Sequence, residues 1–379
     1  MDFTLDKAHE AARGLFREFA ENELRPLAQE IDKTGRFPME TVEKLAKYGM
    51  MGVPIPREYG GQGCDTLTYI LMIEEFAKVC ATTAVIASAH TSLSADPIYK
   101  FSSDIIKEKY LPDLASGRKI GAFALTEPGA GTDASGQQTR AVRDGDDYIL
   151  NGSKIFITNG GVADTFIVFA MTDRSLGTKG ISAFVVERDF PGFSSGAPED
   201  KMGIRASSTT ELVFKDCRVP AENLLSKEGK GFSLAMQSLD GGRIGIAAQA
   251  LGLAEGALER TVKFTKERKQ FGKSICKFQN TQFALADMYA KIEAARLLVY
   301  KAAVAKDSKK SFTVEAATAK LVASRIAVEV TSEAVQLHGG YGYSRGFDVE
   351  RMMRDAKITE IYEGTSEVQR MVISGSVLR

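Results

Sequence analysis

The chain has 379 residues, and its 49 Lys and Arg are balanced by 49 Asp and Glu. That length supports a sizeable core and two or three subdomains. Zero net charge, with both signs interspersed along the chain, excludes the basic footprint of a nucleic-acid or polyanion binder.

Cys64, Cys80, Cys217 and Cys276 form no CxxC pair and read as reduced thiols. His9, His90 and His338 are too scattered for a zinc site of ordinary spacing, so no metal is expected. The opening MDFTLDKAHEAARGLF is charged and amphipathic, unlike a signal peptide. No apolar run reaches the roughly 18 residues of a membrane span. The cytoplasm is the expected compartment, with the mitochondrial matrix as the alternative if a transit peptide has been removed.

The N-terminal third reads as helices. Leu15, Phe19, Leu24 and Leu27 recur at roughly helical spacing, and Pro26 bends or interrupts the run. PIPREYGGQGCD (54–65) is a loop by its Pro and Gly content. Asp65 then precedes TLTYILMIEEFAKVC, whose apolar run predicts a mostly buried helix.

The middle is rich in short β segments, at 121–127, 140–152, 164–172, 181–189 and 210–219, with Asp144-Gly145 as a hairpin turn. No long helical pattern lies between them, which favours an antiparallel sheet or barrel over a doubly wound sheet.

The C-terminal part is helical again. Leu251, Ala254, Leu258 and Val262 form one stripe. Leu285, Met288, Ile292, Ala295 and Val299 form another, and a third runs through Val314, Ala317, Leu321, Ser324, Val328, Thr331 and Val335. Narrow stripes on long helices predict packed bundle helices. The chain therefore divides as 1–118, helical; 119–226, β; and 227–379, a helical bundle.

Several segments could carry chemistry. TEPGAGTDASG (126–136) matches neither GxGxxG nor a Walker loop; it is a connecting loop or one whose exposed N–H groups meet a phosphate or flavin edge. KIFITNGG (154–161) reads as a strand with alternating side chains. ERKQFGK (267–273) offers Arg268 to an anion, or ends a helix with cations near its C-terminal dipole. In AVQLHGGYGY (334–343), Gly339-Gly340 is a C-cap or a close approach to a ligand. Asp240 and Arg243 in LDGGR bind a polar ligand or pair with each other. In EIYEGTSE (360–367), Thr365 can N-cap a final helix with Glu367 near its positive end. Glu363 is left in the turn before that cap, flanked by Gly364. Local pattern sets it apart from Glu360 and Glu367 but does not make it catalytic.

Over essentially its whole length the chain resembles the acyl-CoA dehydrogenase family. The likeness rests on FALTEPGAGTDASG, ITNG, KMGIRAS, GFSLAMQSLDGGRIGIAAQALG, ERKQFGK, AVQLHGGYGY and IYEGTSEVQR, in that order. Within the family it is most similar to the short-chain, butyryl-CoA-type enzymes of bacteria. The resemblance implies an α+β fold: an N-terminal helical domain, a middle antiparallel β-barrel-like domain and a C-terminal four-helix bundle. It also implies a homotetramer, built as a dimer of dimers, that binds FAD.

By the same resemblance, Phe123 through Thr132 line the flavin, including Leu125, Thr126 and Gly131. Phe156 packs on the ring system where many relatives have tryptophan, beside Ile157, and Thr158 bonds near flavin N5. Arg268, Gln270, Phe271, Phe278 and Gln279 hold the FAD of the adjacent subunit, which Gln336, Leu337, Gly339 and Gly340 approach. Thr365 to Glu367 also contact FAD. Thr132, Asp240, Arg243 and Gly364 contact the CoA thioester. Glu363 matches the catalytic base that removes the α-proton. Some relatives carry that base at the position of Gly242, where glycine cannot serve. The segment 88–98 lacks the arginine of glutaryl-CoA-type enzymes, and Asp96 within it departs from close short-chain relatives.

The implied activity is α,β-dehydrogenation of a short-chain acyl-CoA to the trans-2-enoyl-CoA, or the reverse reduction, with electrons exchanged with an electron-transferring flavoprotein. The alternatives are an acyl-CoA oxidase using oxygen, or a non-catalytic helical scaffold with a β insert.

Overall fold

The structure, a computed structural model, describes residues 4–308 and 311–378. It begins with helices α1 (Lys7–Phe19), α2 (Arg25–Thr34) and α3 (Met39–Lys47). A π-helical turn over Ala20–Leu24 joins α1 to α2. Pro26 lies in the first turn of α2, where its missing N–H costs nothing. The expected stripe holds at Phe19 and Leu24, but Leu15 faces solvent and its neighbour Phe16 is buried instead. Phe16 and Phe19 both pack on Phe76, with ring centroids 6.5 and 5.5 Å apart, and that contact sets the phase of α1.

Phe76 belongs to α4 (Thr66–Ala77), which Asp65 caps by accepting from the Thr68 N–H at 2.8 Å. Then come α5 (Ala81–His90), a π-helical turn over Thr91–Ala95, α6 (Asp96–Phe101) and α7 (Asp104–Ala115).

The middle holds β1 (Gly121–Ala124), β2 (Arg140–Asp144), β3 (Asp147–Thr158), β4 (Thr165–Met171), β5 (Ile181–Glu187), β6 (Phe193–Pro198), β7 (Thr209–Pro220) and β8 (Leu224–Leu225). They form one sheet in the order β6-β7-β3-β2-β4-β5-β8, with β1 paired to β4 off that path. Most pairings are antiparallel, as expected. β1 and β2, however, each lie parallel to β4. Gly145, at φ +61°, turns the β2–β3 hairpin.

β4 is buried along its whole length because it has a core on each face. Phe166, Val168 and Ala170 point into the main core, whereas Ile167, Phe169 and Met171 point into a second core with Ile98, Tyr110 and Leu234. The period of two in the side chains thus separates two cores, and a continuous apolar strand results.

The last part is built on α8 (Gly231–Glu267), α9 (Gln279–Asp307) and α10 (Thr313–His338), followed by α11 (Asp348–Lys357) and α12 (Ser366–Val377). A two-stranded hairpin, β9 (Lys269–Gln270) and β10 (Lys273–Ser274), separates α8 from α9. The α9 stripe is buried at Met288, Ile292, Ala295 and Val299. On α10 the buried face is rotated towards alanines, including Ala316, Ala319, Ala323 and Ala327. The bulkier Val314, Leu321, Val328 and Val335 of the expected stripe are only half buried. Alanine is what close packing against α8 admits.

The 37-residue α8 runs through the middle of the molecule. A methyl group on Gly252 would overlap the Glu74 carbonyl and sit 2.8 Å from the Ala77 Cβ. One on Gly245 would lie 3.1 Å from the Tyr69 hydroxyl, and one on Gly256 would lie 2.6 Å from Met352 Cε. The glycines therefore let α4 and α11 lie directly against α8. Ion pairs brace the same contact: Lys78 to Glu255 at 2.7 Å and Arg296 to Glu74 at 2.6 Å.

Replacing Gly252 by Ala forces α4 and α8 apart. Overpacking of about 1–3 kcal/mol outweighs the ~1 kcal/mol gained in helix propensity. Thermal unfolding should show a Tm lowered by several degrees. Gly14→Ala on α1, where nothing lies within 4 Å, should hold or raise the Tm. A Gly252→Ala protein as stable as Gly14→Ala would refute the close approach.

Candidate active site

Glu363 lies between a 3-10 turn (Ile358–Glu360) and α12. It is one of the few non-glycine residues at positive φ, +54°, and Gly364 follows at +90°. Two consecutive left-handed residues are costly for a side chain at the first, and the surroundings hold them. Ser324 Oγ donates to the Thr359 carbonyl at 2.7 Å, and Lys320 Nζ donates to the Gly364 carbonyl at 2.7 Å. These two side chains are one turn apart on α10. Gln369 Nε2 donates to the Glu363 and Gly364 carbonyls at 3.2 and 2.8 Å. From α8, Arg243 Nε reaches the Glu363 carbonyl at 3.4 Å and Gln249 accepts from the Tyr362 hydroxyl. Thr365 caps α12 by accepting from the Val368 N–H at 3.4 Å.

The backbone is therefore tied while the carboxyl is not. Glu363 is half buried as a residue, but its Oε2 is sealed from solvent and has no hydrogen-bond partner among the described residues. Burial pushes its pKa up to about 7, against the opposing pull of Arg243 and Lys320. Its neighbours differ. Glu360 pairs with Lys357 at 2.7 Å and Glu367 with Arg370 at 3.0 Å. Glycine at 242 makes the room: a Cβ there would lie 3.1 Å from Glu363 Oε2 and 2.9 Å from Leu93 Cδ2. The two positions at which the resemblance allows a base thus face one another.

Asp240 and Arg243 are buried and bonded to each other at 2.6 Å, and Thr313 Oγ1 donates to the other Asp240 oxygen at 2.6 Å. Asp96 sits beside them. Its carboxylate takes Lys100 at 2.8 Å and Lys306 at 3.4 Å, and both it and Lys306 lie against Gly241. This residue, unexplained from sequence, completes a local ion pair.

Leu125 and Thr126 are fixed to β3: the Thr126 carbonyl accepts from the Ile155 N–H at 2.9 Å. Lys154, fully buried, spends its three donors on the Leu125 carbonyl (3.1 Å), Glu127 (2.7 Å) and Gln137 (2.9 Å). Phe123 packs on Phe169, with centroids 4.9 Å apart, while Gly131 and Thr132 are exposed. The β3–β7 register shifts between Lys154 and Ile157. Phe156 sits in this bulge at φ +58° with 60% of its surface exposed. Ile157 points into the core, and Thr158 pairs with Thr209. An exposed aromatic on a strained bulge is what a flat ligand uses and a plain strand does not.

A separate cluster forms where α8 ends. Arg268 lies over the Tyr341 ring at 5.4 Å. Phe271, 94% exposed at φ +51°, meets Phe278 edge-on at 6.2 Å. Gln270, Gln279, Gln336 and Gly340 are exposed around it, with Leu337 half buried. Gly339 ends α10 at φ +60° and ψ −139°, a conformation that suits glycine but is not the left-handed helical cap. Among the described residues no hydrogen bond or ring contact joins this cluster to Phe156 or to the Glu363 turn.

Sequence reasoning did not single out Lys154, Glu127, Lys320, Gln249 or Gln369. Two of them left a signal. Lys154 occupies a core position of an alternating strand, and Lys320 a core position among alanines, where an unpaired lysine does not belong.

Family models for the acyl-CoA dehydrogenase N-terminal, middle and C-terminal domains match residues 6–118, 122–217 and 229–378. The chain is 62% identical over 379 residues to a short-chain specific acyl-CoA dehydrogenase of Clostridium acetobutylicum, covering 100% of both. It superposes on the butyryl-CoA dehydrogenase of Megasphaera elsdenii with TM-score 0.98, 56% identity and full coverage of both chains. A chain in a structure described as the electron transferring flavoprotein of Acidaminococcus fermentans matches with TM-score 0.99 and 56% identity, again over 100% of both. With all three parts matched in order and identity this high over the whole length, the chain belongs to the acyl-CoA dehydrogenase family.

Proposed function

We propose that the protein is an FAD-dependent short-chain acyl-CoA dehydrogenase that converts a butyryl-CoA-like thioester to its trans-2-enoyl-CoA, or runs the reverse reduction, exchanging electrons with an electron-transferring flavoprotein. The observation that carries this reading is the Glu363 carboxyl: its Oε2 is sealed from solvent without a hydrogen-bond partner among the described residues, and burial pushes its pKa up to about 7. An α-proton of a thioester is weakly acidic, and its removal needs a positioned base whose pKa lies near the working pH. In this reading Glu363 accepts that proton and becomes a neutral acid, which its apolar surroundings favour. Its backbone N–H faces the enolate charge that develops on the thioester oxygen. Asp240, Arg243, Gly364 and Thr132 hold the CoA thioester.

The residues present fit FAD. Phe156 offers an open aromatic face, the Leu125–Thr126 segment is rigidly bonded to β3, and Thr365 and Glu367 stand at the N-terminus of α12. When bound, FAD supplies the hydride acceptor for the β-carbon. Arg268, Gln270, Phe271, Phe278 and Gln279, with Gln336 to Gly340, are assigned to the dinucleotide of an adjacent subunit. Their exposure at the end of the bundle supports a homotetramer, as do the exposed Phe283 and Leu297 on α9 and Met371 on α12. We set the domain boundaries at 118/119 and 226/227, between α7 and β1 and between β8 and α8. We place the protein in the cytoplasm, the mitochondrial matrix being the alternative compartment. Among the described residues, no helix is long and apolar enough to cross a membrane.

Purified protein should carry a flavin spectrum that butyryl-CoA bleaches under nitrogen and air restores slowly. Fast reoxidation would indicate an oxidase, and absence of flavin a scaffold. Glu363→Gln should keep flavin and ligand binding but slow bleaching by about a thousandfold or more; wild-type bleaching in that variant would refute the base assignment.

The active form of the base is ionised, so wild-type bleaching should accelerate as pH rises, with its midpoint near 7. Stopped-flow reduction across roughly pH 6 to 8 tests this. A rate that falls with rising pH throughout that range contradicts it.

A further inference from the structure

The Glu363 turn holds one cation that makes no ion pair among the described residues. Lys320 is 0% exposed, in the middle of α10, and makes no ion pair among the described residues. Its ammonium has three protons, and its one hydrogen bond among the described residues goes to the Gly364 carbonyl. A buried lysine without a counter-ion is rare. The other nearby cation, Arg243, is already neutralised by Asp240 at 2.6 Å.

We propose that Lys320 is a positioning residue of the reaction: it anchors the Glu363–Gly364 turn through the Gly364 carbonyl and places a positive charge, without an ion-pair partner among the described residues, near the Glu363 carboxyl. The inference rests on Glu363 as the base.

The surroundings support the pairing. From α8, Arg243 and Asp240 face the turn as a near-neutral pair. From α4, Tyr69 contributes a buried hydroxyl that donates to Ser88, and on the turn itself the Tyr362 hydroxyl donates to Gln249. Both phenols are held in the neutral form by burial. Asp96 is balanced by Lys100 and Lys306. Glu360 and Glu367, on the same segment, are paired with Lys357 and Arg370. Arg243 and Lys320 both pull on the Glu363 carboxyl; of the two, Lys320 makes no ion pair among the described residues, so that it and Glu363 act on one another. Each bears the mark of it: the attraction of Glu363 opposes the burial that lowers Lys320 to about 8, and Lys320 opposes the burial that raises Glu363. Lys320 thus does two things for a base. It keeps the carboxyl ionisable near neutral pH in an apolar site, and it sets the direction of the turn without bonding the carboxyl oxygens, which stay free for the proton.

The test uses Lys320→Met, which removes donor and charge, and Lys320→Gln, which keeps a donor and removes only the charge. In the purified holoprotein the protonated Glu363 carboxyl is followed by infrared difference titration against Glu363→Gln. Butyryl-CoA bleaching is followed across pH in parallel. Both Lys320 variants should move the Glu363 midpoint upward by about one pH unit. Bleaching at pH 7 should fall about fivefold and recover at higher pH. Lys320→Met should also lose rate on the high-pH plateau, where Lys320→Gln does not. If Lys320→Met does not fold, the Lys320→Gln midpoint decides alone. A wild-type midpoint in the folded variants overturns the proposal, even where Glu363→Gln is inert. Wild-type bleaching by Glu363→Gln overturns the base reading on which the proposal rests.

Discussion

Burying a carboxyl oxygen without a hydrogen-bond partner costs about 1–3 kcal/mol, and holding a glutamate at positive φ costs a similar amount. Glu363 carries both burdens. Neither persists unless the surrounding structure over-determines the turn, and here it does. Three helices contribute donors to its carbonyls: Arg243 from α8, Lys320 from α10 and Gln369 from α12. None of these bonds uses the carboxyl itself. The strain is concentrated in one side chain, and the bonds that sustain it stop at the backbone.

That arrangement requires α8 to lie close to everything else. Its glycines at 245, 252 and 256 bring in α4 and α11, and Gly242 leaves room for the Glu363 carboxyl. A side chain at 242 and the carboxyl at 363 compete for the same space. A carboxyl on α8 at 242 and one on the turn at 363 would therefore be alternative occupants of one place.

Much of this was legible in the sequence and some was not, for separable reasons. Helices, strands and the Thr365 cap follow from local pattern, because capping and periodicity involve residues a few positions apart. The phase of α1 was missed at Leu15, since it is set by Phe76, some 60 residues away. The parallel pairing of β1 with β4 likewise has no local signature. Within the site, local pattern set Glu363 apart, and motif order with glycine at 242 gave it the expected role of base. Lys154 and Lys320 were missed because a lysine reads as surface until its burial is known. The one partner of Lys320 among the described residues, the carbonyl at 364, carries no residue type to search for, and the carboxylate that answers Lys154, Glu127, lies 27 residues away in sequence. Asp96 became intelligible once α9 brought Lys306 to it.

The site divides into parts that one chain completes and parts that it leaves open. The Glu363 turn, the Asp240–Arg243 pair and the Lys154–Glu127 anchor are bonded wholly within the chain. Their geometry follows from folding and needs neither a ligand nor a second copy. Phe156, Phe271 and the glutamines near Arg268 are turned to solvent, two of them on strained backbone. Exposed aromatics in such conformations gain nothing from the isolated chain. They gain when a planar ring and a neighbouring subunit cover them. The turn proposed to handle the proton is thus fixed by contacts within one chain, while the surfaces that we assign to the dinucleotide stay open to solvent in it.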